Sequence, residues 1–278
     1  MILLTGSTGF VGRHLVKMLQ DSNKSFKAIE RVDGELYDSM TWDKFLDLPI
    51  TYVIHLANIS SVEASWDSPK NFIDFNVGTT TAALEFCKKK NCPMIYFSSF
   101  VYELKKSASY SEFDCLKAKN PYAHSKILCE NTINFYSESF NINTIIVRPF
   151  NIYGSGQSNN LLLGSIQEQL KTSNKIIVRD LKPRRDFIYI KDVISFVKVL
   201  LNYLPEGCET YNLGRGESFS VEEILIEIGK FKNIEYQGIN QTRQSEISDC
   251  YADMSHVYDK FGWRPTYTLP QGLREMFV

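Results

Sequence analysis

The chain has 278 residues, of which 44% are hydrophobic, and its 31 basic and 32 acidic residues give a formal net charge of -1. This length and apolar content allow a well-buried core in one large domain or two smaller ones. The balanced charge argues against binding of nucleic acid or of an acidic membrane surface. No apolar run reaches the about 18 residues of a membrane span, and the first residues show no signal-peptide pattern. We therefore expect a soluble, cytoplasmic protein.

The cysteine and histidine positions argue against a metal site. The six cysteines include no C-x-x-C pair, and the four histidines lie far apart in the sequence. Neither arrangement has the spacing of zinc ligands. We predict free, buried thiols and no bound metal.

In chain order, short apolar runs alternate with longer amphipathic stretches, which is the pattern of a parallel sheet covered by helices. The predicted strands of the first half are Ile2–Leu4, Phe26–Ile29, Tyr52–Leu56, Met94–Phe97 and Thr144–Val147. The predicted helices cover Val11–Leu19, Phe72–Lys90 and Tyr122–Ser137. This order predicts an α/β fold with a doubly wound parallel sheet.

Beyond Pro149 the pattern changes to loops, single strands and scattered helices, with glycine turns at Gly154, Gly156 and 214–216. We predict a dinucleotide-binding domain over residues 1–150. Residues 151–278 are predicted to form a smaller α/β lobe that holds the substrate, with some segments interleaved between the two parts.

A glycine motif, Thr5-Gly6-Ser7-Thr8-Gly9-Phe10-Val11-Gly12, follows the first strand and opens the first helix. In this setting Gly6 permits the tight turn, Gly9 lets the backbone approach a pyrophosphate, and Gly12 lets the helix pack on the sheet. A glycine triplet alone is a weak signal. Its position between a strand and an amphipathic helix is the one that a Rossmann dinucleotide site requires.

A second motif, Tyr122-Ala123-His124-Ser125-Lys126, places a tyrosine and a lysine one helical turn apart on the same face. A phenol with a pKa of about 10 is a poor base at neutral pH, but a nearby ammonium favours the phenolate. Taken alone, this spacing is common on helix surfaces. Together with the glycine motif and with Ser98-Ser99 at a strand end, it predicts redox chemistry on an alcohol or ketone.

These motifs, with others in the same order, resemble the extended short-chain dehydrogenase/reductases, specifically their nucleotide-sugar epimerase, dehydratase and reductase group. The further matching segments are V-I-H-L-A (53–57), N-V-G-T (76–79), S-S-F-V-Y (98–102), R-P-F-N-I-Y-G (148–154), N-N-L (159–161), R-D-F-I-Y (185–189), Y-N-L-G-R-G (211–216) and A-D-M-S (252–255). The resemblance covers nearly the whole chain. It implies a Rossmann domain with a smaller C-terminal substrate-binding lobe.

The resemblance implies three catalytic residues. Tyr122 would be the general acid or base, and Lys126 would bind the nicotinamide ribose and lower the pKa of the tyrosine. The family's catalytic hydroxyl precedes the valine of the V-Y pair by three residues, which selects Ser98 over Ser99 as the group that hydrogen-bonds the reacting oxygen.

The resemblance also implies a nicotinamide cofactor, NAD or NADP. Its implied binding residues are Gly6, Thr8, Gly9, Phe10, Val11, Gly12, Glu30, Arg31, Leu36, Leu56, Ala57, Asn76, Tyr122 and Lys126. Glu30 stands where an acid would bind the adenosine ribose hydroxyls of NAD, whereas Arg31 or Arg13 could pair with the 2′-phosphate of NADP. Both cofactors stay open.

The implied substrate is a nucleotide-diphosphate sugar. Its implied contacts are Ser98, Ser99, Asn151, Asn160, Leu161, Arg185 and Arg243. The two arginines would clamp the diphosphate, because a planar guanidinium pairs with phosphate oxygens in two places. Asp186 and Asp192 are expected to fix the local backbone rather than to touch substrate.

Departures from the family pattern narrow the implied reaction. The 4,6-dehydratases carry an Asp-Glu pair directly after the catalytic hydroxyl, where this chain has Ser99 and Phe100. The 3,5-epimerases place a cysteine at the position of Phe100, and decarboxylases need an acid in this turn. What remains is reversible hydride transfer at one sugar carbon, most simply C4.

Two versions of this chemistry survive. The shortness of the chain and the resemblance of its C-terminal segment to 4-ketoreductases of deoxysugar pathways favour a reductase acting on an NDP-4-keto-6-deoxyhexose. The alternative is a 4-epimerase with tightly bound NAD. A non-catalytic dinucleotide sensor is a remote third possibility, because such proteins typically lose the tyrosine or the lysine. The resemblance further implies a homodimer.

Overall fold

The computed structural model describes residues 1–103, 105–241 and 247–278, so the predicted diphosphate ligand Arg243 lies outside the described residues. The described chain divides into two compact units. The first, here called the sheet unit, comprises Met1–Glu103, Glu112–Pro149 and Phe196–Tyr211. The second unit takes the described residues of Leu104–Ser111, Phe150–Ser195 and Asn212–Val278.

The strands, in chain order, are β1 (Ile2–Thr5), β2 (Phe26–Ile29), β3 (Tyr52–His55), β4 (Met94–Phe97), β5 (Ser109–Tyr110), β6 (Thr144–Pro149), β7 (Asn151–Tyr153), β8 (Lys175–Val178), β9 (Arg184–Arg185), β10 (Phe187–Tyr189), β11 (Cys208–Leu213), β12 (Phe219–Ser220), β13 (Glu235–Gly238) and β14 (Asp249–Ala252). The helices are α1 (Phe10–Asp21), α2 (Ser39–Asp43), α3 (Val62–Asp67), α4 (Pro69–Lys90), α5 (Pro121–Phe140), α6 (Leu162–Gln169), α7 (Ile190–Leu200), α8 (Val221–Gly229), α9 (Ser255–Phe261) and α10 (Leu269–Phe277), with a 3-10 turn at Arg31–Asp33.

The main sheet has the strand order β11-β6-β4-β3-β1-β2. Strands β2, β1, β3, β4 and β6 pair in parallel, and every residue of β1, β3, β4 and β6 is buried. Continuous apolar strands of this kind fit a sheet that is covered on both faces. The order reverses at β1, which is flanked by β2 and β3, and ligands bind such α/β sheets at the carboxyl ends beside a reversal. The predicted doubly wound α/β fold is confirmed.

The two long helices of the sheet unit have clear sequence signals at both ends. Helix α4 starts with Pro69 and ends at Asn91 in the left-handed conformation. Helix α5 starts with Pro121 after the N-cap Asn120, whose side chain accepts a 2.7 Å hydrogen bond from the Ala123 amide. Proline suits a first helical turn, and asparagine suits both caps. These helices begin and end within a few residues of the predicted bounds.

The second unit contains small sheets with the strand orders β12-β9-β14-β5, β10-β7 and β13-β8. Buried Asp186 accepts hydrogen bonds from the amides of Arg215, Gly216 and Ala252, at 2.7, 2.9 and 3.1 Å. Burial raises the pKa of Asp186 to about 6, although these amides lower it. Asp192 accepts from the amides of Thr266 and Tyr267. Both carboxylates therefore fix the backbone, as expected from the sequence.

The two units interleave along the chain, and the described residues of Leu104–Ser111 belong to the second unit although they precede residue 150. The sheet unit does break at Pro149, but it also takes up Phe196–Tyr211 from the predicted C-terminal lobe. The reason is β11, which lies next to β6 at the sheet edge. This strand satisfies backbone groups of β6 that an open edge would leave unpaired.

All six cysteines lie within the described residues and are free thiols; four are buried as predicted, whereas Cys208 is half-buried and Cys115 is exposed. Among the described residues, no three metal-ligating side chains lie close enough to hold an ion. No helix in the described ranges is both long and apolar enough to cross a membrane.

Candidate active site

The glycine turn lies at the carboxyl end of β1, at the reversal of strand order. Gly6 adopts a φ of +72°, and a Cβ there would lie 2.8 Å from the Ala57 nitrogen in the neighbouring loop. A Cβ on Gly12 would collide with the Gly6 carbonyl oxygen, which also accepts a 3.0 Å hydrogen bond from the Gly9 amide. Only glycine fits at these two positions, so the turn folds back tightly against the start of α1.

No side chain caps the N-terminus of α1. Its N-cap Gly9 provides no side-chain hydrogen bond, and the first helical turn contains no acidic residue. Thr8 and Gly9 are exposed, while Phe10 and Val11 are half-buried. Free amides and a positive helix end together attract phosphate oxygens. The turn therefore fits the pyrophosphate of a dinucleotide, as the glycine motif predicts.

The predicted adenosine-side residues lie where β2 ends. Glu30 and Arg31 are exposed, and the Glu30 amide donates a 2.8 Å hydrogen bond to Asp33. The Leu36 carbonyl accepts a 2.8 Å hydrogen bond from the Trp42 indole, which ties the following loop to the core. The carboxylates of Glu30 and Asp33 therefore lie close together just after β2.

Asn76 of α4 fastens the loop that follows β3. Its side chain accepts from the Ile59 amide at 2.8 Å and donates to the Ile59 oxygen at 3.1 Å. It also donates a 2.9 Å hydrogen bond to Ser125 of α5. Leu56 and Ala57, in the same loop, are half-buried beside the glycine turn. Asn76 thus hydrogen-bonds both the loop after β3 and helix α5. This loop, α5 and the glycine turn meet at the carboxyl edge of the sheet.

Tyr122 and Lys126 lie on the first turns of α5, which brings them to the end of β4. The Lys126 ammonium is buried and donates to the Phe97 oxygen at 2.7 Å and to the Tyr96 hydroxyl at 3.2 Å. It lies 6.0 Å from the centre of the half-buried Tyr122 ring. The predicted acid/base pair therefore shares one face of the helix, directed at the sheet.

Burial controls the titration of this pair. It lowers the pKa of Lys126 to about 8, against the opposing influence of Cys129 and Glu130. Burial also raises the pKa of Tyr122, while a hydrogen bond with the Ser99 side chain lowers it. In the protein alone, the phenol is therefore protonated at neutral pH. This is the form that a general acid needs.

The two neighbouring serines have different partners. Ser98 is buried, and its hydroxyl donates a 2.5 Å hydrogen bond to Glu130. Ser99 is half-buried, and its side chain lowers the pKa of Tyr122 against the effect of burial. The family spacing selects Ser98 as the catalytic hydroxyl, and in this structure that hydroxyl is bonded to Glu130.

Sequence reasoning missed a buried ion pair behind this loop. Arg148 of β6 and Glu130 of α5 are both buried, and the shortest distance between Nη2 and Oε2 is 2.6 Å. Arg148 also donates to the Tyr102 hydroxyl at 3.1 Å and to the Glu112 oxygen at 3.0 Å. The available signal was the spacing, because Glu130 follows Lys126 by the same helical step that separates Lys126 from Tyr122.

Apart from Ser98 and Ser99, the predicted substrate residues with described positions belong to the second unit. Asn151 donates to the Asp186 oxygen at 2.8 Å, and Arg185 donates to the Ile247 oxygen at 2.5 Å. Asn160 and Leu161 are exposed just before α6. The neighbouring Arg184 pairs with Glu223 at 2.9 Å, so its charge is already engaged.

The glycine turn, the tyrosine–lysine pair and the parallel sheet are all features of one enzyme family. The model of the NAD dependent epimerase/dehydratase family matches residues 2–214. This chain belongs to that family. Membership confirms the resemblance that the sequence motifs predict, together with the expected dependence on a nicotinamide cofactor.

Relatives in this epimerase/dehydratase family match the chain from end to end. A putative UDP-glucose 4-epimerase of Methanocaldococcus jannaschii is 29% identical and covers 99% of this chain and 97% of its own length. A dTDP-4-dehydro-6-deoxyglucose reductase of Escherichia coli is also 29% identical, and the match covers 99% of this chain and 96% of the reductase. The solved structure of RMD from Pseudomonas aeruginosa, complexed with NADPH, has a TM-score of 0.89 at 24% identity. The match covers 99% of this chain and 97% of the RMD chain. This structural similarity shows the shared fold.

Proposed function

We propose that this protein is an NAD(P)-dependent oxidoreductase that reduces the C4 ketone of an NDP-4-keto-6-deoxyhexose. The observation that carries the proposal is the placement of Tyr122 and Lys126 at the carboxyl edge of the sheet that also bears the glycine turn. A proton donor and a dinucleotide site on one rigid unit are what carbonyl reduction needs.

Each residue has a defined part in this reaction. NAD(P)H, when bound, would supply the hydride. Tyr122 donates its phenolic proton to the oxygen of the reacting carbonyl, because burial keeps the phenol protonated at neutral pH. Lys126, charged below a pH of about 8, binds the nicotinamide ribose hydroxyls and stabilises the phenolate that remains.

The diphosphate handle of the substrate is assigned to the second unit. Arg185, Asn151 and Asn160 offer guanidinium and amide donors there, and Arg243 is proposed as a further clamp. The reductase relative from Escherichia coli, named for a dTDP-linked 4-dehydro-6-deoxy sugar, supports a substrate of this class. The same residues would hold any nucleotide-diphosphate sugar of similar size.

The loop after β4 supports single-carbon redox over dehydration. Its residues Ser99 and Phe100 provide neither a carboxylate nor a thiol next to Tyr122. Proton removal at a second carbon needs another acid/base group. Reduction at C4 needs only the groups that the sheet unit brings together.

A 4-epimerase is the second candidate, favoured by the relative from Methanocaldococcus jannaschii named as a putative UDP-glucose 4-epimerase. The same tyrosine would first accept and then return the proton of the C4 hydroxyl. An epimerase retains its dinucleotide through the cycle, whereas a reductase consumes NAD(P)H.

The test begins with release and identification of any cofactor that co-purifies. NAD(P)H absorbance is then followed with CDP-, dTDP-, GDP- and UDP-linked 4-keto-6-deoxy sugars. We expect net consumption of NADH or NADPH with one of them. Stoichiometric bound NAD, no net consumption and interconversion of C4 epimers would replace the reductase by the epimerase. Absence of either reaction with a competent bound cofactor would reject both.

A further inference from the structure

The Lys126 ammonium uses two of its N–H groups inside the sheet unit. One donates to the Phe97 carbonyl oxygen at 2.7 Å, and another donates to the Tyr96 hydroxyl at 3.2 Å. An ammonium has three donors and no acceptor. These two bonds therefore leave one N–H group for the nicotinamide ribose that the proposed function assigns to Lys126.

The Tyr96 side chain has a fixed place beside this ammonium. It is completely buried in β4, and its ring lies nearly parallel to the ring of His55, with the centroids 5.9 Å apart. His55 is itself fixed, because its Nδ1 shares a 2.8 Å hydrogen bond with the Thr5 hydroxyl at the end of β1. The Lys126 nitrogen lies 4.7 Å from the centroid of the Tyr96 ring. The tyrosine thus offers both its ring face and its hydroxyl oxygen to the positive charge.

Asn58, in the loop after β3, sets the direction of the Tyr96 hydroxyl. The hydroxyl donates its proton to Asn58 Oδ1 at 3.3 Å. A hydroxyl has one proton to donate, so its lone pairs face its other partners. Burial raises the pKa of Tyr96 well above its ordinary value, so the hydroxyl keeps this proton at working pH. Its oxygen is therefore an acceptor for Lys126.

We propose that Tyr96 and Asn58 are positioning residues for Lys126: Asn58 orients the Tyr96 hydroxyl, and that hydroxyl holds the charged ammonium for its contact with the nicotinamide ribose. This assignment rests on the proposed carbonyl reduction for the role of Lys126. Neither residue belongs to the family motifs, which end at Ala57 on one side and resume at Asn76 and Ser98 on the other.

The charge of Lys126 reports on these contacts. Burial lowers its pKa to about 8, while Cys129 and Glu130 oppose that shift. The groups that face Lys126 are Tyr122, Cys129 and Glu130 on its own helix, Tyr96 on β4 and His55 on β3. Burial lowers the pKa of His55 to about 3, so this ring is neutral at working pH. Loss of the Tyr96 oxygen therefore favours the uncharged amine and moves the Lys126 pKa further down.

The first experiment is the pH–rate profile of Tyr96→Phe, which removes the hydroxyl and retains the ring. We expect the pH above which kcat falls to drop by roughly one unit, the effect of losing one hydrogen bond to a charged group. The variant should match wild type at low pH and be roughly tenfold slower on the alkaline side. An equal loss at every pH, with the limit unchanged, would show only a packing role and refute the proposal.

Tyr52→Phe is the matched control for this profile. It removes another buried tyrosine hydroxyl, one that donates to the Tyr203 oxygen at 3.4 Å from the amino end of β3. Its alkaline limit should equal that of wild type. A shift as large as that of Tyr96→Phe would mean that any lost hydroxyl in this sheet moves the profile, and would overturn the assignment.

The second experiment measures cofactor binding without substrate. The dissociation constant of NADH or NADPH, whichever binds more tightly, is followed by fluorescence as a function of pH. Binding to wild type should weaken as Lys126 loses its charge above about pH 8. In Tyr96→Phe the weakening should begin roughly one pH unit lower. An identical pH dependence in the two proteins would refute the positioning role.

The third experiment tests Asn58. Asn58→Ala removes the acceptor of the Tyr96 proton and should move both pH limits in the same direction by a smaller amount. Combined with Tyr96→Phe it should add no further shift, because Asn58 acts through that hydroxyl. Fully additive shifts, or unchanged limits in Asn58→Ala, would refute its role. Thermal unfolding checks each variant, and if Tyr96→Phe does not fold, Asn58→Ala at its half-buried loop position decides the question.

The proposed function is judged separately, on the wild-type protein with the 4-keto sugars. A wild type that reduces none of them, while its cofactor binding shows the expected pH shift in Tyr96→Phe, would reject the reductase and support the Tyr96 assignment. Reduction by wild type with the same pH limits in Tyr96→Phe would reject the assignment alone.

Discussion

The Lys126 ammonium donates a 2.7 Å hydrogen bond to the Phe97 carbonyl oxygen, which fastens α5 to the carboxyl end of β4. This contact places the helix face that bears Tyr122 and Lys126 against the sheet edge that carries the glycine turn. A buried ammonium needs such a partner, because an unpaired charge there would be strongly destabilising. The same bond that stabilises the fold therefore orients the site.

Substitution of the proposed acid should abolish turnover. Tyr122→Phe removes the phenolic proton and retains the ring, so we expect a loss of at least about 100-fold in kcat with cofactor affinity nearly unchanged. Steady-state kinetics and NADH fluorescence titration measure both quantities. Tyr136→Phe is the matched control, because this tyrosine lies on the same helix and hydrogen-bonds Glu85 at 2.7 Å. Retained activity of Tyr122→Phe would show that another group transfers the proton.

Turnover should depend on the charge of Lys126. Its pKa of about 8 lies below the usual value, so the ammonium loses its proton as pH rises through that value. We expect kcat to fall on the alkaline side of about pH 8. Burial of the charged ammonium lowers the free energy of unfolding below that pH, and this cost is relieved as the ammonium loses its proton above it. Lys126→Met should be slow at all pH values. Lys89→Met, at a half-exposed lysine paired with Asp43, should leave the profile unchanged, and an identical profile for Lys126→Met would contradict the prediction.

The close packing of the glycine turn predicts a loss of cofactor binding from Gly12→Ala. The added methyl would meet the Gly6 oxygen and lie 2.9 Å from the Ser7 carbonyl carbon, so the backbone must move. Overpacking of this kind costs about 1 to 3 kcal/mol. Calorimetric titration with NADH and NADPH should show weakened binding. Gly229→Ala, where the nearest atom is 3.8 Å away, should bind normally.

Glu30 is expected to oppose NADP. A carboxylate near a 2′-phosphate costs about 1 kcal/mol for unit charges at close range in water. Glu30→Gln should therefore improve NADPH affinity relative to NADH by roughly fivefold. The ratio of the two dissociation constants is the measurement, and Glu235→Gln in the second unit is the control. A ratio unaffected by Glu30→Gln would mean that this side chain turns away from the ribose.

The implied homodimer should depend on the exposed aromatic side chains of α5. Phe135 is 57% exposed and Phe140 is 39% exposed, and the centroids of their rings lie 6.0 Å apart. We propose that this face meets a second copy of the chain. Light scattering should give a dimer mass for wild type and a monomer mass for Phe135→Glu. Phe113→Glu, at a residue 86% exposed outside α5, should stay dimeric, and a monomeric wild type would reject the proposal.

Much of the fold could be predicted because its signals are local. The strands β1, β3 and β4 are short apolar runs, and the glycine turn directly follows the first of them. The helical spacing of Tyr122 and Lys126 puts both on one face whatever packs against it. β11 was not predicted to join the sheet, because strand pairing over such a separation leaves little trace in local periodicity.

The sequence by itself predicted a dinucleotide site at a strand, a glycine turn and a helix, and determined that Tyr122 and Lys126 share one helix face. Local backbone geometry and residue spacing suffice for both. Only the tertiary structure distinguishes the surroundings of Ser98 from those of Ser99, since adjacent identical residues carry the same local signal. Ser98 is buried and donates to Glu130, whereas Ser99 is half-buried. That difference arises from the packing of α5 against β4, and from Arg148 on β6, which fixes the carboxylate.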